Sequence, residues 1–204
     1  MSPKVTVGRL MSNALFDGMA GAMVAQIMAK ANAEAEAEAI ALLDPAPGAA
    51  ILVIGFGPGV GVELLAKRPG AGRCVGVDPS GAMLREAARR CARHIADGRV
   101  ALQQATADKV ACEDATFDGA IAVNSLQLCE PFTATATELA RVLRPGARLV
   151  SLTHDWAARK HAGSVEAWVA QVTAALVGAG FTAIENGPGQ ADKGKILRLT
   201  AVRR

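Results

Sequence analysis

The residues whose types and spacing could do chemistry are gathered in Ile51 to Gly61, ILVIGFGPGVG. Four apolar residues run straight into a loop with glycine at 55, 57, 59 and 61, and Val62–Arg68 reads as the helix that follows. A short apolar run bounded by glycine is consistent with a strand buried on both faces. Glycine lets the backbone turn sharply and approach a ligand closely. The start of a helix points free N–H groups and the positive end of its dipole at whatever sits in the turn. This combination suits a ligand with a carboxylate or phosphate at one end and a nucleoside at the other.

The spacing narrows the ligand. A dinucleotide fingerprint needs G-x-G-x-x-G, with its third glycine allowing close helix–strand packing. Counting from Gly55 that third position is Val60, and counting from Gly57 it is Val62, so neither frame fits. The pattern is G-x-G-x-G in Gly55, Gly57 and Gly59. Downstream, Gly72–Ser80 (GRCVGVDPS) reads as a second strand ending in Asp78. A carboxylate there can accept hydrogen bonds from both hydroxyls of a ribose. Its alternative role is to cap the next helix, just ahead of Pro79. The glycine loop and the acidic strand end together indicate a nucleoside ligand without a pyrophosphate.

Four segments in register resemble the class I S-adenosylmethionine (SAM)-dependent methyltransferases, especially their small-molecule branch. Ile51–Gly59 resembles the family's first motif, Gly76–Leu84 its ribose segment, Ala105–Leu128 its adenine loop and fourth strand, and Arg141–Val150 the turn into its fifth strand. The order and spacing match over about Ala14 to Val202. The resemblance implies an α/β, Rossmann-like doubly wound sheet of seven strands in the order 3-2-1-4-5-7-6, with strand 7 antiparallel and helices on both faces. It implies SAM as cofactor and S-adenosylhomocysteine as product. It implies that Gly55, Phe56, Gly57 and Gly59 form the loop around SAM and that Asp78 holds the ribose. Pro79 and Met83 would pack on the adenine, although Met83 at helix spacing could equally be core. The acidic residue that often meets the adenine amino group falls at Thr106, with the Ala107 N–H beside it and Asp108 two residues later. Asn124 would hold the methionine end, and Leu126, Gln127 and Leu128 would face the methyl group and the substrate. One position departs from the pattern. The family usually carries Asp or Glu two residues before the first loop glycine, where it helps organise the loop and the SAM amino group; here that residue is Val53.

Methyl transfer is an in-line displacement at an activated carbon. The cofactor supplies the electrophile, and the protein positions the acceptor and excludes water. A general base is optional and depends on the acceptor. His154, at the end of the fifth strand beside Asp155, is the candidate base; His161 falls in the loop after it, and His94 in a basic helical stretch. The expected function is methyl transfer to O, N or C of a small molecule. Two alternatives stand beside it: a non-catalytic SAM-binding accessory protein, suggested by Val53 and the few polar groups, and another SAM-dependent group transferase.

These residues need elements to position them. Strand and helix alternate through the core, the signature of a mostly parallel sheet. Strands are expected at Ile51–Gly55, Cys74–Asp78, Arg99–Gln103, Gly119–Val123, Arg148–Leu152, Phe181–Glu185 and Lys195–Val202. Helices are expected near Gly59–Arg68, from a Ser80 cap through Ile95, over Phe132–Val142, and from a Ser164 cap through Val177. Asn186–Gly189 carries turn chemistry without a helix, so the last two strands should be antiparallel. Before the core, Leu15–Ala29 and Asn32–Leu43 read as helices, the second ended by Asp44-Pro45-Ala46-Pro47-Gly48. The expected organisation is a single domain over 1–204, with residues 1–47 a helical segment able to form a partial lid and 48–204 the Rossmann-like core.

Composition sets the remaining bounds. The chain has 204 residues, 22 Lys and Arg against 19 Asp and Glu, and no tyrosine. A formal charge of +3 is not a nucleic-acid footprint, and few rings are available to stack on bases. Cys74, Cys91, Cys112 and Cys129 form no C-x-x-C pair, which argues against a metal site and a disulfide framework. The apolar run Gly18–Ala29 is interrupted by Gln26 and is too short to span a bilayer. The expected partner is a small-molecule substrate, with neither nucleic acid nor membrane, in the cytoplasm; a homodimer is left open.

Overall fold

The computed structural model describes residues 32–204. The expected helix over Leu15–Ala29 lies outside the described residues. The first described element, α1, covers residues 32–43. Then follow β1 (Ile51–Ile54), α2 (Val60–Lys67), β2 (Cys74–Asp78), α3 (Gly81–Arg90), α4 (Ala92–Ala96), β3 (Val100–Gln104) and β4 (Phe117–Val123). After a 3₁₀ turn at Leu126–Leu128 come α5 (Phe132–Val142), β5 (Leu143–His154), α6 (Asp155–Ala162), α7 (Val165–Gly178), β6 (Phe181–Pro188), a second 3₁₀ turn (Ala191–Gly194) and β7 (Ile196–Arg203).

The strands form one seven-stranded sheet in the order β3-β2-β1-β4-β5-β7-β6. β1 pairs in parallel with both β2 and β4, and β7 runs antiparallel to β5 and β6. All four residues of β1 are buried, as a central strand covered on both faces requires. Its alternating side chains feed two cores. Leu52 and Ile54 join Val75, Val77, Leu139, Trp168 and Leu176 on one face. Ile51 and Val53 join Ala39, Ile40 and Leu43 of α1 and Val62, Leu65 and Met83 on the other. Each large side chain buried this way contributes roughly 1.5–3 kcal/mol.

Four expectations are corrected. The helix after Ser80 stops at Arg90, and a separate turn, α4, follows Cys91. Cys91 is fully buried, with its thiol 3.8 Å from Gly59 O, and the chain turns where this side chain is drawn inward. β5 begins at Leu143, because Leu143 already pairs with Phe117; the exposed Arg144–Gly146 stretch loops out before pairing resumes at Gly119 and Arg148. β6 continues through Asn186, Gly187 and Pro188, which pair with Leu199, Arg198 and Leu197. Proline is tolerated there because β6 is an edge strand. Finally, the stretch after His154 is a helix, α6, with Asp155 in its first turn, Arg159, Lys160 and His161 in its last, and Ala157 and Ala158 buried. Ala158 packs this two-turn helix onto the core, and the charges at its ends complement its dipole. No helix among the described residues is long and apolar enough to cross a membrane.

Candidate functional site

Ligands of open α/β sheets bind beyond the carboxyl ends of the strands, where strand order reverses. Here that crevice lies between β1 and β4. β1 ends at Ile54, and the chain passes through three left-handed glycines: Gly55 (φ 66°), Gly57 (φ 50°) and Gly59 (φ 85°). Gly55 lies so close to the β4 end that a Cβ on it would run into Ser125, whose hydroxyl donates to Ile54 O at 2.7 Å. Gly59 packs on α3, where an added Cβ would stand 2.8 Å from that of Ala87. Gly57 differs from both: a Cβ there would meet nothing within 4 Å. The loop therefore carries open space above its middle glycine.

Asp78 closes the loop from β2. Its Oδ2 accepts the Gly57 N–H at 2.9 Å, and its Oδ1 accepts the Ser80 N–H at 2.9 Å. The carboxylate is buried, and burial pushes its pKa up against the pull of those two N–H donors. Each oxygen keeps a second lone pair for a further donor. The helix cap itself is Ser80, whose hydroxyl accepts the Met83 N–H at 3.3 Å, so Asp78 is left free of that duty.

The other expected cofactor residues surround this pair. Pro79 is exposed at the rim, while Met83 is 3 % exposed and packs in the core on the α1 face of the sheet. The Ala105 N–H donates to Asp78 O at 3.2 Å, which brings the turn containing Thr106, Ala107 and Asp108 beside the β2 end. Thr106 and Asp108 are half-buried, and Ala107 is buried.

Across the crevice, Asn124 ties three elements together. It is a left-handed residue (φ 50°) immediately after β4. Its Nδ2 donates to Asn32 Oδ1 of α1 at 2.9 Å. Its Oδ1 accepts the backbone N–H of His154 and also lies 2.9 Å from His154 Nδ1. A backbone N–H can only donate, so the atom facing it is the amide oxygen, and Nδ1 must carry the proton that bonds to the same oxygen. In the neutral imidazole, Nε2 then carries the lone pair. Asp192 Oδ2, from the second 3₁₀ turn, lies 3.5 Å from it. That turn is held in place by α1, where Glu38 accepts the N–H groups of Gln190 and Ala191 at 2.8 and 2.7 Å.

The segment after Asn124 is less uniform than expected. Leu126 is turned into the core beside Ile54, so its side chain is not open at the strand ends. Gln127 is buried with Oε1 unpartnered among the described residues, and Leu128 is exposed. Trp156 is exposed on α6, its ring 6.4 Å from that of His154. His161 lies on α6 rather than in a loop, facing Glu130. His94 bonds to Arg99 far from the crevice.

Sequence reading singles out none of Asn32, Glu36 and Asp192. Glu36 is buried on α1, and its Oε2 has no hydrogen-bond partner among the described residues. A Cβ on Gly61 would collide with that oxygen. Burial pushes its pKa up to about 8. The signal was present in the helical repeat: one turn back from Ile40 is Glu36, and one turn back again is Asn32. Two cavities open at the amino ends of the strands, both lined by Pro45 and Ile51 and one also by Cys74, away from these groups. The described residues contain no cluster of three metal-ligating side chains.

Residues 51–146 match the family model described as a methyltransferase domain. The chain is 38 % identical over 109 residues to an O-methyltransferase of Penicillium expansum, covering 53 % of this chain and 39 % of that protein. The chain thus spans about two fifths of the length of the curated relative that it matches. A chain of the complex between the Haloferax volcanii Trm112 methyltransferase activator and the putative methyltransferase superposes with a TM-score of 0.75, at 19 % identity, over 94 % of this chain and 96 % of the other. A geranyl diphosphate C-methyltransferase from Streptomyces coelicolor, solved with geranyl diphosphate and S-adenosyl-L-homocysteine, superposes with a TM-score of 0.66, at 15 % identity, over 83 % of this chain and 79 % of the other. At such identities the two structures show a shared fold.

Proposed function

We propose that the chain is a class I SAM-dependent methyltransferase that transfers the methyl group of SAM to a small-molecule acceptor, a reading supported by the methyltransferase-domain match and the O-methyltransferase relative. The observation that carries the proposal is the buried Asp78 carboxylate, fixed by the Gly57 N–H beside the open space above that glycine. When bound, SAM supplies the methyl group on a sulfonium, so the chemistry needs little from the protein beyond placement. Gly55, Phe56, Gly57 and Gly59 shape the loop that receives it. Asp78 accepts the ribose hydroxyls with its remaining lone pairs. Pro79 and the Thr106–Asp108 turn border the base, and the Asn124 backbone borders the methionine end. Met83 and Leu126 support these walls from within the core.

On the acceptor side, His154 is the base. Asn124 holds its Nδ1–H, which leaves Nε2 to take a proton from an acceptor hydroxyl or amine. Gln127, Leu128 and Trp156 border the same end, an apolar rim with one buried amide. O-methylation is the reading favoured by the Penicillium relative. Residues 1–204 act as one methyltransferase domain, in which α1 walls the crevice as the described part of the 1–47 segment.

One observation favours a second reading, a SAM-binding accessory protein without turnover: Val53 leaves β1 without a carboxylate. Incubation with SAM and a panel of phenols, amines and activated carbon acids separates the two. Acceptor-dependent formation of S-adenosylhomocysteine supports the enzyme; SAM binding without it under every acceptor supports the accessory role.

A further inference from the structure

The crevice between β1 and β4 has a wall that the strands do not supply. Asn32 and Glu36 are four residues apart on α1 and therefore lie on one helical face, one above the other. Asn32 reaches the β4 end through Asn124. Glu36 reaches the β1 side, where its carboxylate stands against Gly61, the second residue of α2. Val53 of β1 faces the same side of the sheet as α1. The face that lacks a carboxylate on the strand thus has one on the helix opposite.

Glu36 Oε2 is buried without a hydrogen-bond partner among the described residues. A carboxylate in that state is costly unless it is protonated or meets a cation. Among the described residues Gly61 admits it only because it lacks a side chain. The other carboxylate at this edge, Asp78, is already committed to two backbone N–H groups at the β2 end.

We propose that Glu36 supplies from α1 the carboxylate missing at Val53 and is the counter-ion of the α-ammonium group of SAM. This rests on the SAM reading of the site. Among the described residues, Gly61 of α2 stands against Glu36, and the buried Cys74 thiol on β2 is near enough for the carboxylate to help push it up; Asn32 lies one turn back on the same helix, and Val53 lies on the face of the sheet that α1 covers. Glu63 of α2 is turned away, to Lys67 and Arg90. No cation is among these neighbours. Burial keeps Glu36 protonated at neutral pH, with a pKa of about 8. An arriving ammonium favours the ionised form, so ligand binding expels a proton.

The test is calorimetric titration of the full chain and of Glu36→Gln with SAM, S-adenosylhomocysteine and 5′-methylthioadenosine. The last carries the nucleoside without the amino acid. The expected result is a loss of about 10- to 100-fold for the two amino-acid ligands, the scale of one charge-assisted hydrogen bond, with methylthioadenosine unchanged. A parallel measurement needs no variant. Titration of the natural chain at neutral pH in buffers of different ionisation enthalpy should show release of nearly a whole proton with SAM and none with methylthioadenosine. Equal loss for all three ligands assigns Glu36 a structural role and overturns the proposal, as does unchanged SAM affinity in Glu36→Gln or binding without proton release. Failure of the natural chain to bind any of the three overturns the SAM reading itself, and this proposal with it.

Discussion

Asn124 Oδ1 accepts two hydrogen bonds from one residue, His154, through its backbone N–H and its Nδ1–H, each at 2.9 Å. This joins the ends of β4 and β5 and sets the imidazole tautomer. It predicts that His154→Gln lowers turnover by about 10²- to 10⁴-fold, the usual contribution of a general base. SAM affinity should stay within about twofold of the natural chain, because the proposed role of the imidazole is on the acceptor and not on the cofactor. Release of S-adenosylhomocysteine with a responsive acceptor, beside a SAM titration, checks both halves.

The loop glycines should separate folding from binding. Gly55→Ala would place a methyl group into Ser125 and hold it at φ 66°, so a loss of stability above about 2 kcal/mol is expected. Gly57→Ala meets nothing in the protein and should cost only about 1–2 kcal/mol for its left-handed φ. Its methyl group nevertheless projects into the open space above the loop, where SAM is proposed to bind. Chemical denaturation paired with SAM titration should show Gly55→Ala unstable, and Gly57→Ala folded but deficient in SAM binding.

Stability should fall as pH rises through the neutral range. An unfolded chain ionises Glu36 near its ordinary value of 4.5, whereas the folded chain keeps it protonated up to about 8. Between those values the folded state holds the extra proton, so raising the pH favours unfolding. Asp78, also shifted upward by burial, acts in the same direction. Thermal midpoints followed from about pH 5 to about pH 8 should decline in the natural chain and decline less in Glu36→Gln.

The sequence carried the architecture because its strands are central and its turns are marked. Cys74–Asp78 and Phe132–Val142 occur where the apolar runs and their glycine and proline boundaries place them. The 3-2-1-4-5-7-6 order came from the family resemblance, since no local pattern encodes which strands are neighbours. The boundaries that moved have local causes. Leu143 joins β5 early through Phe117, and Asn186–Pro188 act as an edge strand although their residue types favour turns. The placement of Asp78 and the loop glycines was legible because each sits beside a strand end. Asp192 was not, because its 3₁₀ turn is fixed by Glu38 more than 150 residues away in the chain. Glu36 was hidden in an alanine–glutamate run, where one glutamate looks like the next until Gly61 shows which of them faces inward.

The most direct test of the account is titration of SAM into the natural chain and into Asp78→Ala. The account predicts micromolar affinity in the natural chain. It predicts a loss of about 10-fold or more in the variant, because Asp78 fixes the Gly57 N–H and is proposed to accept the ribose hydroxyls. Equal affinity in the two proteins would contradict the assignment of Asp78. Absence of binding to the natural chain would contradict the cofactor site as a whole.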